Sequence, residues 1–199
     1  PPRLSRPRVG TRFRSSRPAR YGEAVNSDDG GHHPGHQHGD ADGSPLLAKV
    51  LTVSDGVVAG TREDRGGPAL VAALEEEGYT VAEHRVVADG RHTVGEALAE
   101  MAEGFAGLIV TTGGTGFSPR DLTPEGTAII LDREAPGLAE AMRAVNPLGR
   151  LSRGRAGTRD SALILNLPGS TSGAIECLGA VADVLAHALR LLAEQPTEH

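Results

Sequence analysis

The chain has 199 residues, with 20 Lys+Arg, 26 Asp+Glu and a formal net charge of −6, a length suited to one domain with or without an extension. The charge is uneven: residues 1–20 hold seven Arg and no acid, whereas residues 45–199 hold 13 Lys+Arg against 21 Asp+Glu, a net −8. An acidic domain argues against duplex binding, which depends on neutralising phosphates, the lone Cys177 excludes an intramolecular disulfide, and no apolar run approaches the ~18 residues of a membrane span. Because no apolar stretch follows the Arg-rich start as it would in a signal peptide, the expectation is a cytoplasmic protein in a reducing compartment, with neither nucleic acid nor membrane as partner.

Residues 1–44 are rich in Pro, Gly, Arg, Ser and His, and beyond Leu4, Val9, Phe13, Tyr21 and Val25 hold almost nothing to bury. They are expected to form a disordered extension, since burial cannot offset the entropy of ordering them. The basic arm reads as a solvated tail, with contact to RNA or anionic lipid as the other reading. His32, His33, His36 and His38 lie there without a scaffold, so any metal they bind is expected to be adventitious.

From Ala48 onward, short aliphatic runs alternate with amphipathic stretches, the pattern of a parallel α/β domain. A strand is expected at Lys49–Val53, a long loop over Ser54–Arg65, and a helix from Pro68 to Glu77 stopped by Gly78. A second strand covers 79–87. The next helix carries Val94, Ala97, Leu98 and Met101 on one face, with Thr93-x-x-Glu96 read as its capping box. The apolar run 107–112 reads as a strand buried on both faces, and Thr123-Pro124 as an N-cap and first helical residue of a helix reaching Leu131. A helix at 137–145 and a β segment over 150–166 follow. One last helix presents Ile175, Leu178, Ala182, Leu185, Leu189 and Leu192. The expected architecture is a three-layer α/β/α domain over 45–199 with a mostly parallel, Rossmann-like sheet.

In open parallel sheets, ligands sit outside the carboxyl ends of the strands. Three strand ends here carry unusual sequences: SDGVVAGTREDRGGP at 54–68, TTGGTGFSPRDLTPEG at 111–126 and NLPGSTSG at 166–173. Gly113, Gly114 and Gly116 allow backbone N–H groups to approach a ligand closely, and Thr112 and Thr115 add hydroxyls, which suits an anion such as phosphate. A glycine-rich turn can equally be a strand exit, but Arg120, Asp121 and the helix start that follows add a cation, a carboxylate and unpaired N–H groups. Asp89, before Gly90, reads as either a functional acid or a turn former. Asp121 reads as a functional acid or a cap of the nearby helix. Asp55 and Asp64 are less specific, serving metal or ligand, or capping the helix at Pro68. Arg150, Arg153, Arg155 and Arg159 fall within ten positions; they would anchor phosphate or form ion pairs along a solvated β ribbon. Ser152 and Asn166 hydrogen-bond either backbone or a ligand. His84 and His187 read as structural, and Cys177 as a core residue.

The Thr112–Gly116 turn followed at fixed distance by Arg120–Glu125 resembles the signature of the MogA/MoaB family of molybdenum-cofactor biosynthesis proteins, whose molybdopterin-binding domain also occurs in MoeA and gephyrin. Residues 52–70 are similar to the family's first motif and residues 151–170 to its last, so the resemblance spans about 50–190. Three positions depart from the pattern: Gly66 stands where the family usually has Ser, Thr171 where Pro is common, and Gly126 where Ala is usual. The missing hydroxyl at 66 removes one hydrogen-bonding group from the ligand site.

The resemblance implies that the terminal phosphate of molybdopterin attacks the α-phosphorus of ATP, giving adenylylated molybdopterin and pyrophosphate. It implies Mg²⁺ held by Asp89 and Asp121, these two being the catalytic acids. Substrate contacts are expected from Ser54, Asp55, Asp64, Gly67, Thr112, Gly113, Gly114, Thr115, Gly116, Arg120, Ser152, Arg153, Asn166, Pro168, Gly169 and Ser170. With no Trp and few aromatics, pterin and adenine would be gripped by backbone and polar groups. A non-catalytic relative that binds molybdopterin or its precursor is the alternative, and a nucleotide-binding or pyrophosphatase domain of the competence-damage type is a third reading. The family implies a homotrimer or hexamer and contact with other molybdenum-cofactor enzymes.

Overall fold

The computed structural model describes residues 45–193; the extension expected over 1–44, with its four histidines, lies outside the described residues. The sheet has six strands in the order β2-β1-β3-β6-β5-β4. Strands β1 (Leu46–Val53), β2 (Tyr79–Val87), β3 (Gly107–Thr112) and β6 (Ala162–Leu167) run parallel, and β5 (Ala156–Arg159) and β4 (Arg133–Glu134) extend the sheet antiparallel.

Alternation along the central strands assigns the two faces. Val50, Leu108, Val110, Leu163 and Leu165 point to one side, where they pack with Leu70 and Leu74 of α2 (Gly66–Glu76), Met142 of α5 (Pro136–Ala144), Leu178 of α6 (Thr171–Gly179) and Leu185 of α7 (Ala182–Leu192). Leu51, Ile109 and Ile164 point to the other, against α3 (Arg91–Ala102) and Ile130 of α4 (Thr123–Ile130). Helices on both faces of a mostly parallel sheet make the three-layer α/β/α arrangement. Every residue of β3 and β6 is buried, as strands covered on both sides must be. No helix among the described residues is long and apolar enough to cross a membrane.

Four local expectations are corrected. The Ser54–Arg65 loop contains a one-turn helix, α1 (Asp55–Val58), whose Val57 N–H donates to Ser54 Oγ at 3.3 Å. Helix α3 starts at Arg91, with Gly90 at φ +152° before it, so Thr93 lies inside the helix and no capping box forms; a glycine that turns the chain more sharply than Thr could moves the start forward. At α4 the cap is Leu122, because the Thr123 hydroxyl donates instead to Gly113 O at 2.9 Å. The final helix is two helices, broken at Ala180–Val181. Leu178, Val181 and Leu185 are all buried across the break, so the apolar spacing runs through it unchanged.

Candidate active site

The carboxyl ends of β1, β2, β3 and β6 converge on one cavity of about 790 Å³. Its floor is the turn after β3. Gly113 (φ +103°) approaches β1 so closely that a Cβ there would stand 2.2 Å from Val53 O, and at Gly114 (φ +61°) a Cβ would stand 2.4 Å from Thr123 Oγ1. These two positions need glycine both for space and for backbone conformation. Thr112 Oγ1 donates to Pro168 O at 2.9 Å, tying the turn to the strand end of β6.

Three segments are laced together at the cavity edge. Asp55 N–H donates to Asp89 Oδ2 at 2.7 Å, and Asp89 N–H returns to Asp55 Oδ1 at 3.0 Å. Arg120 places Nε and Nη2 on the Asp55 carboxylate at 3.0 Å each and donates from Nη2 to Asp89 O at 2.7 Å. This ring joins the ends of β1 and β2 to the loop before α4. Asp121 Oδ2 accepts from Ser118 N–H at 2.8 Å. Asp89 and Asp121 both line the cavity, and among the described residues their Oδ1 atoms accept no hydrogen bond. No group of three or more His, Cys, Asp or Glu among the described residues converges as a metal-ligand set.

Of the expected substrate-contacting residues, Ser54, Asp64, Thr112, Gly113, Gly114, Thr115, Gly116, Ser152, Asn166, Pro168, Gly169 and Ser170 line this cavity. Four expected contacts lie off its wall. Asp55 and Arg120 are spent on each other. Gly67 is buried, its N–H donating to Asp64 Oδ1 at 2.9 Å. Arg153, which the sequence offered as a phosphate anchor, clamps the glycine-rich loop instead: Nε donates to Gly116 O at 2.8 Å, Nη1 pairs with Glu125, and Nη2 donates to Asp121 O. Burial alone would raise the Glu125 pKa, but the Arg153 hydrogen bond, its own backbone N–H, the Arg153 charge and the Arg155 charge together hold it below the usual carboxylate range. Arg155 pairs with Glu134 and Arg159 with Asp132, so for these two the ion-paired ribbon is what forms.

The Asn166 amide is satisfied internally. Nδ2 donates to Thr111 Oγ1 at 3.2 Å and Thr127 Oγ1 at 2.9 Å, and Oδ1 accepts from Arg155 N–H at 3.1 Å. It ties β6 to β3, α4 and the ribbon, and both of its amide N–H groups are taken up within the protein. Asp64 does cap α2, as one of its two readings held, while remaining on the cavity wall.

Sequence reasoning missed Arg62, Arg143 and Cys177, all of which line the cavity. Arg143 reaches it from α5 and donates from Nη1 to Gly154 O at 3.0 Å; only the tertiary packing of α5 carries that information. Cys177 is a wall residue more than a core one. Burial and then the Glu176 charge push its thiol pKa up, which keeps it protonated and a poor nucleophile.

Residues 49–187 match the family model described as a probable molybdopterin binding domain. The chain belongs to that family. Within it, the chain is 37% identical over 150 residues to the molybdopterin adenylyltransferase of Helicobacter pylori (strain J99), covering 72% of this chain and 85% of that protein. Dictyostelium discoideum gephyrin is 36% identical over 164 residues, but the match takes in 75% of this chain and only 23% of gephyrin. The crystal structure of the molybdopterin biosynthesis enzyme MoaB from Thermus thermophilus is 46% identical, with a TM-score of 0.72, covering 77% of this chain and 99% of that one. The MogA/MoaB resemblance read from the Thr112–Gly116 and Arg120–Glu125 motifs therefore holds, and so does the α/β fold expected from it.

Proposed function

We propose that this protein is a molybdopterin adenylyltransferase of molybdenum-cofactor biosynthesis. An oxygen of the molybdopterin terminal phosphate attacks the α-phosphorus of ATP, the new P–O bond forms, the bond to the β-phosphate oxygen breaks, and pyrophosphate leaves. The observation that carries this reading is that Asp89, just after β2, and Asp121, in the loop between β3 and α4, line one cavity beside a glycine-rich turn. Each has one carboxylate oxygen held by a backbone N–H and the other unbonded among the described residues.

Two phosphate anions approaching each other need oriented donors and positive charge. The N–H groups of Gly114, Thr115 and Gly116 donate to no described residue and supply the first. Arg62 and Arg143 supply charge on the wall. The two unbonded carboxylate oxygens fit Mg²⁺, a hard cation that takes one or two carboxylates and keeps several waters. Bound there by Asp89 and Asp121, it would neutralise charge between the phosphates. No aromatic side chain lines the cavity among the described residues, so pterin and adenine would lie against backbone, polar groups and the aliphatic side chains of Val53, Val57, Met142, Leu148 and Leu151. The same reading carries a homotrimer or hexamer, for which the exposed Phe117 provides apolar surface. Sedimentation of the full chain as a monomer at micromolar concentration would remove that part.

The deciding experiment incubates purified protein with molybdopterin, ATP and Mg²⁺ and looks for adenylylated molybdopterin and pyrophosphate. Tight molybdopterin binding without product would replace the enzyme with the non-catalytic binding reading.

A further inference from the structure

Behind the cavity lining, a second polar cluster forms around His84 of β2. Its Nε2 stands 3.1 Å from Thr52 Oγ1 and 3.2 Å from Asp64 Oδ2. Thr52 and Asp64 both line the cavity, and His84 does not. Asp64 Oδ2 is buried without an aligned hydrogen bond, so the imidazole is its polar contact, while Oδ1 is taken by Gly67 N–H at 2.9 Å. The neighbouring charges of the same strand lie on the opposite face: Glu83 pairs with Lys49 and Arg85, and Arg85 also with Glu100 of α3.

The seat for this ring is built by Gly67. A Cβ at 67 would lie 2.1 Å from His84 Nε2 and 2.5 Å from Thr52 Oγ1. That explains a glycine inside the first turn of a helix, where it otherwise costs stability. With the ring proton on Nε2 the imidazole turns a donor towards the Asp64 carboxylate, whereas with the proton on Nδ1 it accepts from the Thr52 hydroxyl and turns a lone pair towards Asp64.

We propose that His84 is a positioning residue for the cavity: its Nε2, set between Asp64 Oδ2 and Thr52 Oγ1, ties the loop before α2 to the end of β1 and so keeps the start of α2 at Gly66–Gly67 in place. It touches no substrate. Its effect on turnover rests on the adenylyltransferase reading; its effect on wall geometry does not.

Two measurements on the full chain test this. Imidazole ¹⁵N shifts are expected to show His84 in the Nε2–H tautomer in the parent protein and to lose that preference in Asp64→Ala; a parent His84 protonated at Nδ1 alone overturns the proposal. His84→Leu and Gly67→Ala, which delete or displace the donor, are expected to raise KM for at least one substrate about tenfold with kcat changed by less than about twofold. His84→Gln, which keeps an N–H within reach, restores KM to within about threefold. A merely structural histidine gives His84→Leu and His84→Gln the same KM, and that result sinks the idea. If the parent protein makes no product, the dissociation constant of molybdopterin replaces KM, so failure of the enzyme reading leaves this test intact.

Discussion

The loop after β3 and the ribbon around β5 each carry a dense set of charges, and they use them in opposite ways. In the loop, glycines hold the backbone in place and the Asp121 carboxylate lies on the cavity with one oxygen that no described residue bonds. In the ribbon, Arg153, Arg155 and Arg159 direct their guanidinium groups at carboxylates and loop carbonyls. The loop therefore presents chemistry to a ligand, whereas the ribbon holds the loop in shape. Charge density alone does not mark a ligand site; what marks it is charge left unsatisfied by the protein itself.

The largest effect expected from this contrast lies in the acids. Asp89→Asn and Asp121→Asn keep size and the backbone hydrogen bonds but remove a negative charge from the cavity. Each is expected to lower turnover about a hundredfold or more, roughly 2.7 kcal/mol of transition-state stabilisation, with molybdopterin affinity and melting temperature little changed. Both variants retaining near-normal adenylylation in a folded protein would end the catalytic assignment.

Next comes the point where the two regions touch. Arg153→Ala strips the loop of its clamp and leaves Glu125, whose Oε2 is already buried without a partner, without its ion-pair and hydrogen-bond partner, only the more distant Arg155 charge remaining. The expected cost is about 2 kcal/mol in denaturant unfolding, together with a raised KM. An unchanged unfolding midpoint would mean the loop holds its shape without the ribbon.

The Glu125–Arg153 pair also gives a pH signature. The Glu125 pKa is lowered in the folded state, so the stability it contributes is fully present above the unfolded-state value, about 4.3, and is lost as pH falls through the lower folded value. Glu125→Gln is expected to flatten stability against pH in that acid window and to leave the slope near neutrality alone. The side chain is 38% exposed, so solvent screening keeps the amplitude small.

How much of this was legible follows the same division. Strands β1, β2 and β3 could be read from their aliphatic runs, and the glycine-rich turn because Gly113 and Gly114 answer local backbone demands, whereas the one β segment expected over 150–166 is a short helical turn at Pro147–Leu151 followed by the antiparallel pair β5 and β6, and β4 was not foreseen. Asp89 could be named because it stands just after the end of β2, and Asp121 because it follows Arg120 in the loop beside the glycine-rich turn. What the arginines do could not be read, since whether Arg153 meets a phosphate or Glu125 depends on contacts 28 residues apart. Arg143 was invisible for the same reason. The break at Ala180–Val181 escaped because it preserves the apolar spacing, and the α3 cap because Gly90 takes a φ that no side-chain motif announces.

The smallest expected effect is the one that separates the regions most cleanly. Arg155 is 41% exposed and its partner Glu134 is 56% exposed; both lie beyond the lining of the large cavity. An ion pair this wet gives up most of its Coulomb energy to solvent and loses more in fixing two long side chains. Arg155→Ala is therefore expected to change stability by less than about 0.5 kcal/mol and to leave kcat and both KM values near those of the parent. A phosphate anchor would behave differently, raising KM for the anionic substrate and weakening binding further as salt screens what charge remains. Kinetics of Arg155→Ala at low and high salt distinguish the two. Parent-like values in both conditions keep the ribbon as scaffold, whereas a salt-sensitive rise in KM would make it part of the site.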